Sequence, residues 1–109
     1  KSFAKMGGSL PKEVRERIGI IKRDDGAELN LRDCKLTVIP AKELSKLKNL
    51  KRVNLEKNEI NELPAKKIHK LLALEYINLS FNNIQELPVE IVFLHNLVEL
   101  NMTANRISV

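Results

Sequence analysis

The chain has 109 residues, 43% of them hydrophobic and 30% charged, with 19 Lys and Arg against 14 Asp and Glu for a net charge of +5. That balance excludes a disordered polyelectrolyte, and the length limits the chain to one domain. No stretch approaches the roughly 18 apolar residues of a membrane-spanning helix, and the opening KSFAKMGGSLPKE has no secretory apolar run, so a soluble, cytoplasmic protein is expected.

Residues 1 to 8 read either as a flexible N-terminal tail or as residues preceding the native start, with Met6 a candidate initiator. Pro11 stands where the myristoylation pattern requires Ser or Thr, so no lipid anchor is predicted. Across residues 9 to 25, Leu10, Val14, Ile18 and Ile21 recur at four, four and three residues. This spacing predicts an amphipathic helix, with Ser9 as N-cap, Pro11 in the first turn, and Asp24-Asp25-Gly26 ending it. It is expected to cap the open end of the segment that begins at Gly26; a helix that binds a partner is the alternative.

Residues 26 to 109 repeat. Leu29-x-Leu31-x-x-Cys34-x-Leu36-x-x-Ile39-Pro40 recurs as Val53-x-Leu55-x-x-Asn58-x-Ile60-x-x-Leu63-Pro64 and as Ile77-x-Leu79-x-x-Asn82-x-Ile84-x-x-Leu87-Pro88. A further partial copy is Leu100-x-Met102-x-x-Asn105-x-Ile107, so the anchors 34, 58, 82 and 105 are separated by 24, 24 and 23 residues. That period and pattern are the leucine-rich repeat signature. The expected fold is an α/β solenoid of about 3.5 copies, with short parallel strands on the concave face and helical or 3-10 turns on the convex face. Asn58, Asn82 and Asn105 are placed to hydrogen-bond the backbone of their own turn and of the adjacent repeat. Cys34 fills that slot in the first copy as a small buried side chain. As the sole cysteine it makes no internal disulfide, which favours a reducing compartment over the one implied by the sequons Asn78-Leu79-Ser80 and Asn101-Met102-Thr103.

Repeats ending L-x-x-L-P-x-x-I, as in IQELPVEIVFLHNL, behind a short helix resemble the cytoplasmic leucine-rich repeat proteins of the Ras-suppressor type. The first two copies depart by one residue, with PAKEL and PAKKI where the third has PVEI. The resemblance implies a curved, non-catalytic protein-binding scaffold without cofactor or metal.

The repeat register displays four columns: Glu28, Arg52, Tyr76, Glu99; Asn30, Asn54, Asn78, Asn101; Arg32, Glu56, Ser80, Thr103; and Asp33, Lys57, Phe81, Ala104. Tyr76 and Phe81, the only aromatics among them, are the candidate anchors for a protein partner, with Arg52 and Lys57 as a charged rim and Asn54, Asn78, Glu56, Asn101 and Glu99 around them. Truncating either ring to alanine is expected to weaken partner binding by about 2 kcal/mol and stability by less than about 0.5 kcal/mol. The Asn column reads either as a ladder bonding along the sheet between repeats or as ligand contact. His69 and His95 fall on the return legs, away from these columns.

Charge is uneven: residues 1 to 75 carry 18 Lys and Arg against 11 Asp and Glu, residues 76 to 109 one against three. Lys42, Lys46, Lys48, Lys66, Lys67 and Lys70 fall on the return legs, so the convex side should be positive: a solvated face, or a contact for acidic lipid, acidic protein or RNA. The residues leave three functions open: a protein–protein scaffold acting through the concave sheet, the recognition arm of a larger signalling enzyme, and an RNA-associated protein using its convex lysines. Leu97, Leu100, Met102 and Ile107 predict a core that continues past the last copy, to be covered by further repeats, a partner or a second copy.

Overall fold

The computed structural model describes residues 10–107. The expected tail, Phe3, Gly7-Gly8 and the N-cap Ser9 lie outside the described residues. Four three-residue strands, β1 (Glu28–Asn30), β2 (Arg52–Asn54), β3 (Tyr76–Asn78) and β4 (Glu99–Asn101), form one parallel sheet in chain order. The register places Leu29, Val53, Ile77 and Leu100 side by side, as the repeat pattern predicts. Such short strands hold because the ladder runs on past them. Leu31 N–H donates to Asn54 C=O, Leu55 to Asn78 and Leu79 to Asn101, each at 2.8 Å. The inward residues Leu31, Leu36, Leu55, Ile60, Leu79 and Ile84 are fully buried in one continuous core.

The return legs differ in their helical turns. After Pro40 the chain forms α2 (Ala41–Ser45), whose Leu44 N–H reaches back to the Pro40 carbonyl at 3.0 Å. After Pro64 it forms a 3-10 segment, Ala65–Leu71, kinked at Lys67, and after Pro88 a second one, Val89–Phe93. In both, the first bond spans three residues: Lys67 N–H to Pro64 C=O and Ile91 N–H to Pro88 C=O. The third leg is one residue shorter, and the 3-10 geometry, with fewer residues per turn, keeps Ile91 and Leu94 turned inward. Leu44, Ile68 and Ile91 hold equivalent places, as do Leu47, Leu71 and Leu94.

At the N-terminal end, α1 (Lys12–Asp24) packs Val14, fully buried, against the first repeat, with Ile18 and Ile21 half-buried and Leu10, just ahead of the helix, buried beside it. Pro11 is not in the first turn as the sequence suggests; it occupies the N-cap position with extended backbone, and no side chain caps the helix. Its carbonyl accepts the first helical bond, from Arg15 N–H at 3.0 Å, while its own ψ of 147° keeps it outside the helix. Asp25 closes the other end in the left-handed conformation (φ 54°), and Gly26 N–H bonds the Ile21 carbonyl at 3.1 Å.

Cys34 shows why the anchor column changes residue here. The other anchors bond back to a preceding strand, whereas behind Cys34 stands a helix. There Arg17 Nη1 donates to Asn30 C=O at 3.0 Å and approaches Cys34 Sγ at 3.5 Å, while Arg17 also pairs with Glu13. Burial pushes the Cys34 thiol above the ordinary value of 9.0, against an opposing pull from Arg17. The folded state therefore holds the proton more tightly than the unfolded one, so the stability Cys34 contributes is intact below pH 9.0 and is withdrawn as pH rises above it. Cys34→Ser is expected to flatten this alkaline loss in melts recorded across that range, and alkylation of the native thiol is expected to be slower than in denaturant.

β4 is the outer strand. Leu100 on it and Met102 just past it are only half-buried, where the equivalent Ile77 and Leu79 of the preceding repeat are closed off; Ile107 is 40% exposed.

Candidate partner-binding face

A parallel sheet this narrow presents one outward side chain per repeat in each column, so equivalent residues line up across the strands. In the first column Arg52 reaches both ways. Its Nε lies 3.6 Å from Glu28 Oε1 on β1, and its guanidinium carbon sits 3.7 Å from the centre of the Tyr76 ring on β3. Carboxylate, guanidinium and ring thus run in series over three strands, with Glu99 next in line on β4. Together with Asn30, Asn54, Asn78 and Asn101 they line a shallow groove of about 400 Å³, floored by the strand backbone at Leu29, Val53 and Ile77.

Of the residues singled out from the sequence, Tyr76, Arg52, Asn54, Asn78, Asn101 and Glu99 meet in this groove, while Phe81, Lys57 and Glu56 do not line it. Glu28 and Asn30 complete it; both stood in the right columns, and what singles them out is their reach toward Arg52 and the groove.

One open alternative is decided and two expectations are corrected. The Asn column forms no ladder between repeats: each side-chain oxygen accepts from the backbone N–H two residues on, Asn30 from Arg32, Asn54 from Glu56, Asn78 from Ser80 and Asn101 from Thr103, at 2.9 to 3.0 Å. These local turns steer the chain out of the strand and leave the amide nitrogens toward the groove. Ser80 is not displayed; it is buried, and its hydroxyl donates to Asn78 Oδ1 at 2.6 Å. The fourth column belongs to the turn rather than the sheet, since Asp33, Lys57, Phe81 and Ala104 all take left-handed backbone with φ of 55 to 58°.

Left-handed backbone is costly for a bulky side chain, and Phe81 recovers little, being 51% exposed with Lys57 Nζ 5.9 Å above its ring. Asparagine tolerates that conformation better. Phe81→Asn is expected to raise stability by about 0.5 to 1 kcal/mol in urea denaturation. A loss of stability would instead put the ring to use in the fold.

The inter-repeat bonding is done by the buried anchors. Asn58 Oδ1 accepts from Cys34 N–H and Leu36 N–H, and its Nδ2 donates to the Leu31, Leu55 and Glu56 carbonyls. Asn82 and Asn105 repeat the arrangement one and two strands on. The result is a rigid platform under the groove.

This geometry is that of a repeat solenoid with an open concave sheet. The leucine rich repeat family model matches residues 27–84 and 48–107, and the chain belongs to that family. A comparison with curated proteins gives no match. Leucine-rich repeats are in general protein–protein interaction modules.

Proposed function

We propose that the chain is a non-catalytic scaffold that holds a protein partner across its concave sheet, in the groove around Tyr76. The observation that carries this is the seating of Tyr76. A large, half-buried ring on β3 is stacked by Arg52, itself tethered by Glu28, in a groove whose other outward columns carry amide and carboxylate side chains. Rigid aromatics in such surroundings are favoured interface anchors, because little rotamer freedom is lost on binding. A partner with mixed charge suits this face: Glu99 makes no ion pair among the described residues, while Arg32 lies 3.7 Å from Glu56. The likeness to the Ras-suppressor type supports a cytoplasmic signalling role, and the free, buried Cys34 fits a reducing compartment.

The test is comparative capture. Proteins retained from lysate by the native chain are expected to be lost together when the bait carries Tyr76→Ala or Arg52→Glu. An unchanged set on both variants would remove the concave groove as the binding site.

A further inference from the structure

The convex face changes character along the solenoid. The first two return legs expose Lys42, Lys46, Lys48, Lys66, Lys67 and Lys70, and none of the six makes an ion pair among the described residues. The only carboxylates on the three legs are Glu43 and Glu90, both half-buried. On the third leg the lysines give way to apolar side chains. Phe93 stands where the earlier repeats have Lys46 and Lys70, and Val92 where they have Ser45 and His69. Val89, Val92 and Phe93 are 80%, 73% and 53% exposed.

For Val92 and Phe93 that exposure does not come from the open side of β4. The equivalent positions Ser45, Lys46, His69 and Lys70 are exposed even though their repeats are flanked by neighbours, so a unit stacked on β4 would cover Leu100 and Met102 and leave Val92 and Phe93 in water. The legs lie side by side, α2 against Ala65–Leu71 and that segment against Val89–Phe93, so the lysine strip borders the apolar patch directly.

We propose that this convex face docks peripherally on an anionic lipid surface, with Val92 and Phe93 entering the boundary between headgroups and acyl chains and the lysines lying among the headgroup phosphates. Lysine is a compact, strongly hydrated charge on a flexible stem, suited to many loosely placed phosphates. An outward-bulging surface meets a bilayer along a line of contact, whereas a protein partner would need a matching hollow. No described helix is long and apolar enough to cross a membrane, so the contact is interfacial. The concave groove faces the opposite way and stays open while the convex face is docked.

The experiment is co-sedimentation of the full chain with phosphatidylcholine vesicles, with and without phosphatidylserine. Binding is expected only with phosphatidylserine. Phe93→Asp is expected to weaken it about tenfold and Lys70→Glu at least about fivefold, with unchanged thermal melts, since both positions are exposed. Tyr76→Ala should leave it unaffected, which separates this proposal from the concave reading. The chain has no tryptophan, so Phe93→Trp supplies a single probe whose emission should shift to the blue on the anionic vesicles. No pelleting with phosphatidylserine, or pelleting without a blue shift and indifferent to Phe93→Asp, would overturn the proposal. So would tighter binding to an RNA oligonucleotide or an acidic peptide through the same lysines.

Discussion

Replacing Asn58 by alanine is expected to cost about 3 to 5 kcal/mol of folding stability, enough to unfold much of the population of an ordinary domain of this size. The side chain is buried and makes five hydrogen bonds, two accepted and three donated. Alanine leaves the Cys34 and Leu36 N–H groups and the Leu31 carbonyl of the preceding repeat without their side-chain partner. Each such orphan costs about 1 to 3 kcal/mol, and the values do not add fully because the repeats can relax apart. Asn82→Ala should come close, with four bonds at similar burial, and Asn105→Ala should cost less because it is half-buried beside the outer strand. Asn54→Ala is the control: it loses one local bond, to Glu56 N–H, and should cost about 1 kcal/mol. Urea denaturation of the four variants checks the order. Equal losses for Asn54→Ala and Asn58→Ala would mean that the anchors do not hold the repeats together.

The anchors were legible in the sequence because a polar residue set at a fixed interval inside an apolar pattern must find backbone partners in the core or go unsatisfied. The parallel register was legible on similar grounds: a 24-residue period with L-x-L at its centre leaves one way to align the strands. The local course of the turn was not. A left-handed residue usually announces itself as glycine, yet here the position holds Asp33, Lys57, Phe81 and Ala104, so nothing in the residue types marked it. The strain is absorbed because the N–H groups of Asp33, Lys57 and Phe81 are each fixed by a carbonyl of the next repeat, Glu56, Ser80 and Thr103, a contact between residues 22 or 23 apart. That is a tertiary constraint, and it moves Phe81 and Lys57 out of the groove that their column implies they share with Tyr76.

The same limit applied to the Asn column. Asparagine repeated at strand ends is equally compatible with a ladder of amides between repeats and with a turn bond to the residue two on. Distance decides between them. With an N–H of its own repeat about 2.9 Å from each Oδ1, the column is not glue between repeats but groove lining with free amide nitrogens.

Tyr76→Ala is expected to weaken partner binding by about 2 kcal/mol, roughly thirtyfold in Kd. The structure changes what else the variant should do. A ring held 3.7 Å under Arg52 is not a bare surface residue, so its loss should also cost about 0.5 to 1 kcal/mol of stability, more than the sequence alone suggests. Arg52→Ala should cost a similar amount, and the double variant less than the two together, because the same contact is removed once. Binding should obey a different pattern. Arg52 is already occupied by Glu28 and Tyr76, so its removal acts by loosening the ring and should weaken the partner less than removing the ring does. Calorimetric titration of a partner recovered on the native chain, set beside melts of the same three variants, separates the effects. If Tyr76→Ala binds normally while its melt falls with that of Arg52→Ala, the stack serves the sheet alone and the groove has lost its anchor. If binding drops roughly thirtyfold at a stability loss near about 1 kcal/mol, the ring belongs to the interface.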